Sequence, residues 1–342
     1  MKILAYSDLH ANFAYPDYMS YLDKTVDFLK TVIQERRPNL VIFLGDLFDT
    51  FSMLDVKTGL WGRQAVTEIT DAVRAVSGDH VLLSGNHDVA DADAKISSLH
   101  LADCGNGAMI VTNPVVWKGV LCASFGARPE EVIGILSKGE EKVEVLACHF
   151  DWIGGRLTPT YVTEKGWDPQ AFARSFPHVV VLDGHYHNPG HMGPVTFVGA
   201  PCYRDFKDSE VPGEPRGFVF YDTEADVMER IENPYTYRVA TIKVDTLEKF
   251  QAVIGSFRGK TDNVKARIYV PGALLAEAEK ERERFLWCSI TSTDTYRSPV
   301  PEGQGIVLTA QPKDVVDAAV AKAPGDLDRA RLWGIGIKAF GG

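Results

Sequence analysis

Five short polar clusters contain residues able to bind metal: Asp8-Leu9-His10, Gly45-Asp46-Leu47-Phe48-Asp49, Gly85-Asn86-His87-Asp88, His149, and Gly184-His185-Tyr186-His187. Carboxylate oxygen, imidazole nitrogen and amide oxygen together suit a borderline-to-hard divalent ion such as Mn2+, Fe2+ or Zn2+. Two such ions set about 4 Å apart need one shared carboxylate and about three further protein ligands each. The clusters supply that number. Asp8, His10, Asp46 and His187 are assigned to one ion, and Asp46, Asn86, His149 and His185 to the other, with Asp46 bridging. Such a pair supports in-line attack of an activated water on phosphorus, with the charge on the non-bridging oxygens neutralised.

His87 is left over from ligation and stands beside Asn86, the natural place for a group that stabilises or protonates a leaving oxygen. Asp88 is expected to orient that imidazole, as carboxylates behind histidines do. His185 and His187, two residues apart, would point to the same side of a continuing strand, one toward each ion. His80, His100, His178 and His191 fall outside the pattern and read as structural or surface histidines.

Each cluster follows a short apolar run. Residues 2–6, 40–44, 80–83, 143–148 and 178–182 read as strands that end abruptly in Asp, Gly or His. Strands this uniformly apolar are buried on both faces, as in the centre of a layered α/β sandwich. Loops beyond the carboxyl ends of such strands are where ligands bind. Helical patterns occupy 21–36, stopped by Pro38, and 59–76. Residues 115–117 and 120–124 form a hairpin, and 195–198 and 217–221 are later strands. A boundary falls at Asn233-Pro234. Beyond it come an alternating strand at 237–244, a helix at 247–257, a strand at 264–270 and a helix at 273–285. Helices at 314–323 and 327–338 finish the chain. The domains expected are therefore 1–234, a small α+β domain at 235–312, and terminal helices at 313–342.

Composition bounds the partners. The 342 residues are 45% hydrophobic and 24% charged, with net charge −10. The charge is uneven: 16 basic and 13 acidic residues from Arg238 onward, against 20 and 33 before it. Bound cations would offset part of that acidity; the rest weighs against nucleic acid as a partner. Cys104, Cys122, Cys148, Cys202 and Cys288 form no CxxC pair, which suits a reducing cytoplasm and excludes a thiolate zinc site. No apolar run approaches the roughly 18 residues of a membrane span. The short apolar start reads as no export signal. A cytoplasmic protein, of a bacterium or a phage-infected cell, is expected.

The clusters, in this order, resemble those of the calcineurin-like metallophosphoesterases over about residues 1–200. That resemblance implies a four-layer α/β core (an α+β sandwich) with two divalent ions, and the ligand roles given above. Within that group the chain is most similar to SbcD-type DNA repair nucleases, including recombination-endonuclease subunits of large phages. The likeness lies in the form Gly45-Asp46-Leu47-Phe48-Asp49, in Gly199-Ala200-Pro201 followed by Phe206, and in the α+β region after Pro234. It implies Mn2+ as the usual metal (Mg2+, Fe2+ or Zn2+ as alternatives), a homodimer, DNA as substrate, and an SbcC-type ABC ATPase docked on the last helices. Some members carry a histidine, linked to exonuclease action, where this chain has Asp49. Asp49 is read as supporting a ligand from behind, and cleavage polarity stays open. Arg258, Lys260, Lys265 and Arg267 are the candidate DNA contacts of the capping region. The alternative is a phosphomonoesterase or a small-molecule or nucleotide phosphodiesterase on the same core. A silent scaffold would lack Asp46, Asn86 or His87, and all are present.

Overall fold

Short runs of Val, Ile and Leu with no polar alternation can leave neither face in water, so they stack as inner layers. The computed structural model describes residues 1–292 apart from 50–53, 90–95, 104, 106, 140–141, 159–160, 204–213, 237, 258–263 and 283–287. The elements run β1 (Lys2–Tyr6), α1 (Pro16–Arg36), β2 (Leu40–Phe43), α2 (Val56–Ala75), β3 (Asp79–Leu83), α3 (Leu99–Asp103) and β4 (Met109–Val111). Then come β5 (Val115–Trp117), β6 (Val120–Ala123), α4 (Pro129–Lys138), β7 (Val145–Cys148), β8 (Arg156–Thr158), β9 (Tyr161–Val162), α5 (Pro169–Ser175), β10 (Val180–Asp183), β11 (Gly190–Met192) and β12 (Val195–Phe197). The last are β13 (Gly217–Asp222), β14 (Val227–Glu232), β15 (Arg238–Lys243), α6 (Leu247–Phe257), β16 (Val264–Val270), α7 (Leu275–Arg282) and β17 (Cys288–Ser292).

Two six-stranded sheets form the centre, ordered β14-β13-β1-β2-β3-β4 and β11-β12-β10-β7-β6-β5. In the first, β1 to β4 are parallel and β13 and β14 antiparallel. In the second, β6, β7, β10 and β12 are parallel, with β5 and β11 antiparallel at the edges. Alternate residues of each strand face opposite ways. Leu4, Tyr6, Val41, Phe43 and Leu82 meet α1 and α2 on the outer face of the first sheet. Ile3, Ala5, Ile42, Val81, Leu83, Val145, Ala147 and Leu182 fill the layer between the sheets. Leu121, Leu146, Val181 and Phe172 close the far side beneath α4 and α5. The result is the expected four-layer arrangement, with inner strands inaccessible on both faces. Each fully buried aliphatic side chain contributes about 1.5–3 kcal/mol.

The helices follow from local signals. α1 starts on Pro16, buries Leu22, Val26, Leu29, Val32 and Ile33, and ends where Arg37 turns left-handed at φ 47°. α2 begins at Val56 rather than Gly59, because Asp55 caps it by accepting from Lys57 N at 2.9 Å and Thr58 N at 3.1 Å. β15, β16 and β17 make a separate three-stranded sheet with its own apolar cluster of Val244, Phe250, Ile268, Val270, Ala278 and Ile290. The helices expected at 314–323 and 327–338 lie outside the described residues, as do Phe206, Arg258 and Lys260. No helix among the described residues is long and apolar enough to cross a membrane.

Candidate metal centre

β1, β2, β3, β7 and β10 all point their carboxyl ends to one edge of the sandwich, and the five clusters sit directly after them. The chain must turn sharply there. Asp8 (φ 54°), His10 (φ 45°), Asp46 (φ 61°) and His185 (φ 68°) are all left-handed, a strained conformation for side chains other than glycine. Glycines bring the loops close enough. A Cβ on Gly184 would lie 2.4 Å from Ser7 Oγ and 2.8 Å from His149 Nδ1, and Gly45 leaves equally little room beside His149.

Besides a group of His10, Asp49 and His87, two groups made only of expected ligands result among the described residues. Ligand atoms of Asp8, His10 and His187 lie within 4.8 Å of one another, and so do those of Asp8, Asp46 and His149. Asp46 Oδ2 stands 3.5 Å from His10 Nε2 and 3.5 Å from His149 Nε2, between the two groups. Asn86 Oδ1 is 3.1 Å from His149 Nε2 and 3.0 Å from His185 Nδ1. His10 pairs with His187 at 4.6 Å between ring centroids, and His149 with His185 at 5.1 Å. His87 stands edge-on to His10 at 4.8 Å.

The donor chemistry fits cations. His149 Nδ1 lies 2.6 Å from the Leu44 carbonyl, which can only accept, so the ring hydrogen is on Nδ1. Burial, then repulsion from His185, holds the His149 pKa down to about 3, so the ring is neutral and Nε2 presents a lone pair. That lone pair faces Asp46 Oδ2 and Asn86 Oδ1, which are lone-pair donors themselves. Asp8 is fully buried, and neither of its carboxylate oxygens accepts a hydrogen bond among the described residues. Converging lone pairs are costly unless a cation lies among them. Asp8, His10, Asp46 and His187 could hold one ion, and Asp46, Asn86, His149 and His185 could hold the other.

Residues 1–212 match the family model of calcineurin-like phosphoesterases. The chain belongs to that family. It is accordingly a metal-dependent phosphoester hydrolase that uses divalent ions. No curated protein matches it. Among solved structures it is similar to GAP50, the anchor in the inner membrane complex of Plasmodium. The identity is 11% and the TM-score 0.38, over 65% of this chain and 80% of that one. It is also similar to the glutamine-dependent NAD+ synthetase from Acinetobacter baumannii, at 8% identity and TM-score 0.29, over 99% of this chain and 73% of that one. Both likenesses are too distant to inform the chemistry.

The groups supporting the calcineurin-like ligands differ in part from expectation. Asp88 does not orient His87. Its carboxylate accepts from the backbone N–H of Asp46 (2.7 Å), Leu47 (3.0 Å), Phe48 (3.4 Å) and Gly85 (3.0 Å). The left-handed Gly45 and Asp46 turn those amides inward as a nest for an anion. Burial still pushes the Asp88 pKa up to about 7 against those donors. His87 Nδ1 instead donates to the Asp49 carbonyl at 2.9 Å. Asp49 stands behind His10, with Oδ1 3.7 Å from Nδ1, and receives a hydrogen bond from Asn12. His185 and His187 are not on a continuing strand, since β10 ends at Asp183. The left-handed turn at His185 sends each ring to its own group. Lys265 and Arg267 belong to β16.

Some residues of the site have no sequence motif. Asp183, fully buried, accepts from Phe150 N–H (2.9 Å) and Cys148 S–H (3.1 Å) and so ties the His149 and His185 loops together. Arg216, 3% exposed, donates to the carbonyls of His187 (2.7 Å) and Ala200 (3.1 Å) and to Asn188 Oδ1 (2.8 Å). Asp151 Oδ1 lies 3.0 Å from His185 Nε2. Only Asp151 left a trace in the sequence, two residues beyond His149.

Proposed function

We propose that this phosphoesterase is a DNA nuclease, an exonuclease, an endonuclease or both, acting on DNA ends in repair or recombination beside an SbcC-type ABC ATPase. The observation that carries the reading is the convergence of Asp8, His10, Asp46, Asn86, His149, His185 and His187 around a shared Asp46, with His87 at its edge. The DNA specificity rests on the resemblance of the motifs to SbcD-type nucleases. When bound, two divalent ions, Mn2+ first among the candidates, supply Lewis-acid neutralisation of the phosphate and an activated water.

The chain's own residues do the rest. Asp46 and Asn86 set the spacing of the two donor groups. His87 is pinned by Nδ1–H to the Asp49 carbonyl, so Nε2 is the nitrogen that exchanges a proton with the leaving oxygen. The capping region 235–312, with Arg258, Lys260, Lys265 and Arg267, would contact phosphates. Segment 313–342 would dock the ATPase, and the catalytic domain would pair as a homodimer in the cytoplasm. The acidic balance of residues before Arg238 favours the second reading, a phosphomonoesterase or small-molecule phosphodiesterase.

The test is turnover with Mn2+ on linear duplex DNA, single-stranded DNA, p-nitrophenyl phosphate and its bis ester. DNA cleavage that falls about 100-fold or more in His87→Ala, with slow monoester turnover, is the expected result. Fast monoester turnover with intact DNA removes the nuclease reading.

A further inference from the structure

Three imidazoles among the expected cation ligands have an acceptor beside one ring nitrogen and present the other to the donor groups. His149 has the Leu44 carbonyl, His10 has Asp49, and His185 has Asp151. The first two supports come from the family's strand-end motifs or the strand itself. The third comes from the rim: the Asp151 side chain is 44% exposed, against 12% for His185.

We propose that Asp151 is a positioning residue that fixes the His185 tautomer and thereby the affinity of the cation position shared by Asn86, His149 and His185. This inference rests on the two-cation reading given above. Asp151 Oδ1 and Asn86 Oδ1 both accept at 3.0 Å, and a carboxylate is a stronger acceptor than an amide oxygen, so His185 carries its hydrogen on Nε2. In the neutral ring Nδ1 is then bare, and it is Nδ1 that faces Asn86 Oδ1 at 3.0 Å. With the opposite tautomer, Nδ1 would hold a hydrogen and could not ligate.

A surface carboxylate would be too mobile for this role unless its backbone were held. It is held here on both sides. Trp167 N–H donates to the Asp151 carbonyl at 2.8 Å, and Ile153 N–H donates to the Trp167 carbonyl at 2.9 Å. Gly166, at φ 125°, allows that contact, since a Cβ there would lie 2.3 Å from the Asp151 carbonyl oxygen. The next residues of both loops are joined as well. Tyr186 OH accepts from Trp152 N–H at 2.8 Å and lies 3.0 Å from the Trp152 carbonyl, to which it can donate. Tyr186 is 1% exposed and Trp152 inaccessible. The residues following His185 and Asp151 are thus clamped in the core, and the pair at the rim inherits their geometry. An ordinary exposed ion pair lacks such a clamp and contributes little.

The experiment compares wild type with Asp151→Ala, which removes the acceptor, and Asp151→Asn, which keeps a neutral acceptor oxygen. Two readouts are taken: the His185 ring tautomer from 15N–1H correlation spectra of metal-free protein, and Mn2+ binding by calorimetry. Wild type and Asp151→Asn should show His185 with hydrogen on Nε2 and two Mn2+ sites. Asp151→Ala should show mixed tautomers and one of the two sites weakened by about 10- to 100-fold. A merely structural role would not move the tautomer in a folded variant. Wild type binding two Mn2+, with Asp151→Ala matching it within twofold and keeping the Nε2–H tautomer, overturns this inference alone. Wild type that takes up no Mn2+ overturns the two-cation reading together with it.

Discussion

Gly85→Ala replaces one hydrogen with a methyl group, and the structure predicts that it disables the centre. The Cβ would lie 2.1 Å from Asp46 Oδ1 and 2.6 Å from Asp46 N. Gly85 is not among the left-handed glycines, so alanine meets no torsional obstacle and the effect is purely steric. The oxygen must retreat by roughly 1 Å to reach even the tightest contact a carbon tolerates. That movement breaks the 2.8 Å hydrogen bond that Asp46 Oδ1 accepts from His87 N–H. It also swings Oδ2 away from its place 3.5 Å from both His10 Nε2 and His149 Nε2. Overpacking of this kind costs about 1–3 kcal/mol of stability. In a protein of this size that is a fall in Tm of roughly 2–10 °C. Misplacing a reacting geometry by about 1 Å costs about 100-fold in rate. The assay is hydrolysis of bis(p-nitrophenyl) phosphate at saturating Mn2+, with melting followed by circular dichroism. Gly134→Ala in α4 is the control, since a Cβ there meets nothing within 4 Å. Its rate should equal wild type. A folded Gly85→Ala protein with a rate within threefold of wild type would refute the placement of Asp46.

Two further outcomes follow from buried polar groups. Asp88→Asn leaves one acceptor oxygen where two served the amides of Asp46, Leu47, Phe48 and Gly85, so at least two buried N–H groups face an NH2. The loss in urea titration should be about 2–6 kcal/mol, and a loss under about 1 kcal/mol would contradict the nest geometry. His80 is buried between Tyr6 OH (3.0 Å) and Thr70 Oγ1 (2.9 Å), and burial lowers its pKa from 6.5 to about 3. The unfolded chain takes up that proton first, so stability is complete above pH 6.5 and is lost as the pH falls toward 3. About 2 kcal/mol should be gone by pH 5 relative to pH 7. Measuring the difference between wild type and His80→Gln cancels the other histidines. Equal pH slopes in the two proteins would show His80 to be solvated.

Much of this centre could be read along the chain, for a definite reason. An inner strand of a layered sandwich must be apolar throughout, so the end of the run marks the edge of the sheet, and whatever polar residues follow stand at that edge. Lys2–Tyr6, Leu40–Phe43 and Val145–Cys148 each announce themselves in that way, and the residue types behind them specify oxygen and nitrogen donors for hard cations. Elements without a continuous apolar signature were not legible: the outer strand Val227–Glu232 alternates between exposed and half-buried residues, and the helix at Pro129–Lys138 buries only Val132.

The roles of the supporting groups were decided by tertiary structure alone. Asp88 adjoins His87 in sequence, yet its carboxylate belongs to the amides forty residues earlier, because Gly45 and Asp46 turn left-handed and gather three N–H groups on one point. Arg216 is bound to the His187 carbonyl, and Asp151 to the His185 ring, across gaps that no local spacing encodes. Sequence by itself determined which atoms could bind a cation and at which strand ends they stand. Only folding determined the tautomer, the backbone strain and the hydrogen bonds that aim those atoms. Those depend on distances between loops, and loops meet only once both sheets have packed.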